Sequence, residues 1–162
     1  MTTDEIENQV RSISEVLQAI SEKTPDMTGQ DWAYDHGWIT NKEYKAHEEQ
    51  ASKMYSLAQL ELKKVEKLRS ENEEIFRRWF NSLLNHLENL MISLEKKYKL
   101  KANEASKEKK VRDARFDYLL MKSILPCLDS WYNNEAPKHE PAWAFRVLFN
   151  AIDRAEAKLH EE

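Results

Sequence analysis

Apolar residues recur along this chain at helical spacing. Ile6, Val10, Ile13, Leu17 and Ile20 are separated by four, three, four and three positions, which is the seam of an amphipathic helix. Thr2 and Glu5 stand three apart, as a capping box requires, so this helix is expected to begin near residue 3. Pro25 disfavours a helical Thr24 and should end it near Lys23. Thr40 and Glu43 repeat the capping pattern and open a long second tract. There Tyr44, Ala51, Ala58 and Val65 lie seven apart, with Met54 and Leu68 on the same stripe.

Ser70 and Glu73 form a third capping pair, just ahead of the most apolar seam: Phe76, Phe80, Leu83, Leu87, Leu90 and Leu94, widened by Trp79, Leu84, Met91 and Tyr98. Two readings stand at this point. Either one helix runs over 41–101, roughly 90 Å at ~1.5 Å per residue, or it breaks near Ser70 and folds back. The pattern is lost over 99–110. It resumes at Val111, Ala114, Tyr118, Met121, Leu125 and Leu128, predicting a helix over 107–132 that Pro126 kinks. Pro141 suits a first helical position for a last helix over 141–160, carried by Phe145, Leu148, Ile152, Ala155 and Leu159.

Composition strengthens this reading. The 162 residues include 2 glycines and 4 prolines, against roughly 11 and 8 at average usage. Gly37 and Pro126 bracket 88 residues that hold neither, whereas a β-rich fold needs a turn signal every ~8–12 residues. The expected fold is all-α: one domain over 1–162, an antiparallel bundle of four to five helices with the 41–101 tract as its spine. A 41% hydrophobic content is enough for a core. No apolar run approaches the ~20 residues of a membrane span, and the acidic start (Thr2-Thr3-Asp4-Glu5) lacks the layout of a leader. Cys127 is the sole cysteine, so no internal disulfide or cysteine-based zinc site can form. A cytoplasmic protein is expected.

The scarcity of glycine also removes chemistry. Gly29 and Gly37 are eight apart, which rules out the phosphate loop, the three-glycine dinucleotide turn and the nucleophile elbow. His47-Glu48-Glu49 is not the zinc-protease pattern, and no histidine follows a glutamate by three positions as a di-iron bundle site needs. No catalytic residue, cofactor or metal is expected, and the sequence points to a non-enzyme.

Two segments carry candidate binding residues. The connection 24–39, with Pro25, Gly29 and Gly37, is expected to be a loop in which Thr28 and Asp31 could open one helical turn. It is aromatic and acidic together, and its Asp31, Trp32, Tyr34, Asp35 and Trp38 are candidate anchors for a protein partner, since tryptophan and tyrosine dominate interface energetics. The competing reading folds Trp32 and Trp38 down as a plug over the open end of the bundle. At the opposite charge pole, residues 96–115 hold Lys96, Lys97, Lys99, Lys101, Lys107, Lys109, Lys110, Arg112 and Arg115 against three acids. That is a net +6, leaving −10 on the rest of the chain. Such a cluster, with Tyr98 and Phe116 at its borders, is a candidate contact for nucleic-acid phosphates.

The primary expectation is a non-enzymatic helical interaction module (an adaptor, accessory subunit or inhibitor) that meets another protein or a second copy of itself. The alternative is a small helical subunit of a ribonucleoprotein or DNA-processing complex that contacts nucleic acid through 96–115. A third reading rests on Arg154-Ala-Glu-Ala-Lys-Leu-His160, whose spacing resembles the Arg-x(4–6)-His motif of HEPN ribonucleases. Those are small helical bundles in which the two residues assemble a cleavage site across a dimer, so the resemblance implies RNA cleavage by Arg154 and His160. Ala155 departs from the polar residue that usually follows the arginine.

Overall fold

The computed structural model describes residues 1–100, 107–135 and 141–161. Among them it shows six α-helices and no strand: α1 (Thr3–Lys23), α2 (Met27–Asp35), α3 (Asn41–Glu71), α4 (Glu73–Tyr98), α5 (Lys109–Tyr132) and α6 (Pro141–His160). The fold is an all-α helical bundle, and no described helix is long and apolar enough to cross a membrane.

The predicted seams become the core. All six residues of the Phe76–Leu94 seam are buried, as are Ile6, Val10, Ile13 and Leu17 of α1 and Phe145, Leu148, Ile152 and Ala155 of α6. Helices α4, α5 and α6 pack on one another, and α1 lies against α4 and α6. Direction follows from pairs at the helix ends. Phe80 near the start of α4 stacks on Tyr132 at the end of α5, centroids 4.4 Å apart, so these two run antiparallel. Arg11 pairs with Asp153 at 3.4 Å and Arg146 donates to Ser21 at 2.8 Å, so α1 and α6 are antiparallel too.

The capping boxes form where expected at α1 and α3. Glu5 N donates to Thr2 Oγ1 at 3.2 Å, and Glu43 N donates to Thr40 Oγ1 at 3.1 Å. The third does not form. Ser70 Oγ turns back to Lys67 O at 3.1 Å, and the spine breaks two residues later at Asn72, with φ −137° and ψ 46°. Asn72 Nδ2 donates to Leu68 O at 3.1 Å while Phe76 N donates to Asn72 O at 2.8 Å. The side-chain amide thus stands in for a main-chain donor, and hydrogen bonding carries across the break. A one-residue link is too short for an antiparallel reversal, which takes about 2–5 residues. The 41–101 tract is therefore neither one straight helix nor a hairpin but a spine bent at Asn72, ending at Tyr98.

Helix α5 runs through Pro126 without ending there. Its buried face is Ala114, Asp117, Met121, Ile124, Leu128 and Trp131. The sequence pattern placed Leu125 there in place of Ile124 and passed over Asp117.

Candidate protein-interaction surface

The N-terminal part of α3 leaves the bundle. Its buried residues begin only at Met54, and no residue from Gln18 to Lys53 is buried. Tyr44 and Ala51 therefore do not extend the core stripe as their spacing suggested. The segment 24–39 holds a nine-residue helix, α2, where a loop was expected, and α2 packs on α3 alone. Together α2, its following turn and the first turns of α3 make an arm. Residues 41–53 of it correspond to about 20 Å of helix.

Local chemistry shapes the arm closely. Gly37 sits at φ +72°, in the left-handed region where glycine bears no steric cost. Gly37 N donates to Tyr34 O and Trp38 N donates to Ala33 O at 2.8 Å, the paired bonds of a Schellman helix end. That end fixes the backbone of Trp38. On the side facing α3, the rings of Tyr34 and Tyr44 stack at 4.9 Å, and Tyr44 Oη donates to Asp31 Oδ1 at 2.5 Å. This bond to the carboxylate, aided by partial desolvation and the charge of Asp31, pushes the Tyr44 phenol up to about 12.

The outward side is different. Trp32 stacks on His36 at 4.3 Å and lies 6.1 Å from Trp38, and His36 Nδ1 is 2.8 Å from Trp32 O. Trp38 is 75% exposed and Trp32 56%. These indoles do not plug the bundle. All five residues expected to meet a partner, Asp31, Trp32, Tyr34, Asp35 and Trp38, are brought together on α2 and its terminating turn, with Tyr34 and Asp31 also holding the arm to α3. Where the arm joins the bundle, an open groove of about 330 Å³ runs between α1, α3 and α6, lined by Leu17, Ile20, Met54, Ala58 and Trp143 among others.

The basic candidates occupy the opposite pole. Lys96 and Lys97 lie in the last turn of α4 and Lys99 caps it at φ 52°. Lys107 precedes α5, and Lys109, Lys110, Arg112 and Arg115 lie in its first two turns. Lys101 falls outside the described residues. Because α4 and α5 are antiparallel, these groups share one end of the pair. Lys97 is already engaged: its Nζ donates to the carbonyls of Lys158 and Glu161 at the end of α6. Arg115 is half-buried, while the other described members are exposed.

The Arg154–His160 pair is split in role. Arg154 Nε donates to Asp117 Oδ1 at 2.9 Å and Lys158 Nζ donates to Oδ2 at 2.6 Å. Asp117 is only 1% exposed, so the two cations clamp a buried carboxylate and pin α6 to α5. His160 lies exposed in the last turn of α6. Among the described residues, no group of three or more histidine, cysteine or acidic side chains is placed to hold a metal ion.

Sequence reasoning missed Tyr44 as part of the arm. The available signal was the lack of bulky aliphatic residues between Asn41 and Lys53: a stripe of Tyr44 and Ala51 has little apolar surface to bury. Comparisons with protein-family models, with curated proteins and with solved structures give no match for this chain.

Proposed function

We propose that this protein is a non-enzymatic helical interaction module that docks a partner protein through the α2 arm. One observation carries the reading: two indoles, Trp32 and Trp38, stand in solvent on a backbone that is locked by its own hydrogen bonds. Large exposed aromatics on a preorganised scaffold are the material of interface anchors. The groove at the arm's base offers room for an apolar side chain of the same partner.

The test is a pair of variants, Trp32→Ala and Trp38→Ala, in the full chain expressed in its own cells. Co-purification of a stoichiometric protein should be lost in both, with thermal unfolding unchanged. Retained co-purification would defeat the proposal. So would a fall in stability matching the loss of binding.

A second reading has its own observation. Phe116 is 61% exposed beside the cations of α5, and an aromatic face among lysines and arginines suits a nucleic-acid strand. Replacing Lys109, Lys110 and Arg112 together by glutamine should weaken binding to any sequence and flatten its salt dependence. Binding that keeps its affinity and salt slope would remove this reading.

A further inference from the structure

Four of the six described helices carry a cation in their own last turn, where the backbone carbonyls concentrate negative potential. Lys23 serves α1, Arg69 lies in the last turn of α3, Lys96 and Lys97 in that of α4, and Lys158 in that of α6. Helix α5 has no basic residue of its own there. Arg69 reaches across from α3, donating through Nη2 to Tyr132 O at 2.6 Å with its guanidinium 4.2 Å from the Tyr132 ring. Helix α2 has no lysine or arginine in its last turn, and among the described residues no ion pair reaches it. Its end is closed by neutral donors, with His36 N on Trp32 O, Gly37 N on Tyr34 O and Trp38 N on Ala33 O.

Charge near α2 deepens the imbalance. The segment 26–38 contains Asp26, Asp31 and Asp35 and no lysine or arginine. Asp31 is engaged with Tyr44 on the side facing α3; Asp35, one helical turn on, lies in the last turn of α2, where its sign opposes the usual preference. Resting on the interaction-module reading, we infer that this face receives an arginine-bearing segment of the partner protein. The guanidinium lies on the exposed indole of Trp38, and its N–H groups are directed at the Asp35 carboxylate.

Arginine suits the site better than lysine. Its planar cation stacks on aromatic faces and forks onto carboxylates. The molecule already solves this problem once in the same way: Arg69 both stacks on Tyr132 and bonds the carbonyl that ends α5. At α2 an exposed aromatic face and a carboxylate, Asp35, are present, and the arginine is the part a partner would bring.

The test follows the five tryptophan indole N–H resonances of the full chain by NMR. The probes are a blocked Gly-Arg-Gly-Arg-Gly peptide and its citrulline counterpart, which keeps the shape and loses the charge. The arginine peptide should move the Trp38 and Trp32 resonances and leave Trp79 and Trp131 in place, while the citrulline peptide moves none. Asp35→Asn should weaken the arginine response by up to about fivefold, the range of an exposed charge pair. Equal responses to both peptides would overturn the inference, as would shifts unaffected by Asp35→Asn. The two readings fail separately. A partner that needs both indoles but tolerates Asp31→Asn with Asp35→Asn leaves the module intact and removes the arginine. A chain whose partner ignores the indoles removes the module.

Discussion

The α4–α5 interface and the α2 arm are both built from clustered aromatic rings, yet they put them to opposite use. In the bundle, Phe80 is enclosed by Phe76, Trp79, Trp131 and Tyr132 at centroid distances of 4.4 to 6.4 Å, and every neighbour comes from a helix that is itself covered. In the arm, Trp38 has one ring neighbour among the described residues, Trp32, and is three-quarters exposed. The rings are chemically alike, and what separates them is whether another element closes over their helix. Burial here is a property of topology and not of residue type.

A truncation in each region should have very different costs. Phe80→Ala should cost about 3–5 kcal/mol, the range for deleting a large core aromatic, read by urea or thermal unfolding. Trp38→Ala should stay within about 0.5 kcal/mol, as surface substitutions do. A loss above ~2 kcal/mol for Trp38→Ala would mean that the arm is covered after all.

Next in size is the buried carboxylate. Replacing Arg154 and Lys158 together by alanine strands Asp117 without a cation, and removing the partners of a buried charge costs about 3–5 kcal/mol. Arg154 is 44% exposed, so water screens part of that interaction and the lower figure is expected. Adding Asp117→Leu to the double variant should restore most of the stability, because the unpaired charge is then gone.

Smaller effects should stay local to the arm. Thr40→Ala removes the cap of α3, worth about 1 kcal/mol. Since nothing from Gln18 to Lys53 is buried, its effect should show as faster amide exchange over 41–47 and leave the midpoint of global unfolding nearly fixed. A shift of the whole transition would show that arm and bundle unfold as one unit.

The smallest expected signal is in pH. The Tyr44 phenol lies at about 12 when folded and near ~10 in an unfolded chain. Between these values the native state keeps a proton that the unfolded state has lost. The contribution is whole below about pH 10 and declines as pH rises through the folded value. Absorbance at alkaline pH should show a late tyrosine titration, and Tyr44→Phe should remove it.

Much of the fold was legible because large apolar residues at helical spacing have one stable outcome, burial on a seam. The α4 seam and the Thr2 and Thr40 caps are of this kind. The Asn72 break was not legible, since Ser70 and Glu73 have capping spacing, yet the Ser70 hydroxyl finds an acceptor one turn back in its own helix. Asp117 was hidden for another reason: its two partners lie 37 and 41 residues away, and local pattern cannot see them. The arm's residues were found by composition, but their exposure was not, because a tryptophan among acids folds down or stands out according to what lies above it.

One feature of the spine sets how the arm meets anything. Helix α3 is a single uninterrupted rod from the arm to Asn72, anchored inside the bundle by Met54, Leu62, Val65 and Leu68. Unbroken helix, with no loop between them, therefore joins the tip to the core. In the docking proposed above, the arm would act as a key cut in advance, with no slow ordering of the chain. Association should proceed at the ~10⁵–10⁷ M⁻¹s⁻¹ of rigid patches finding their orientation, with affinity changes among arm variants appearing in how long the complex lasts.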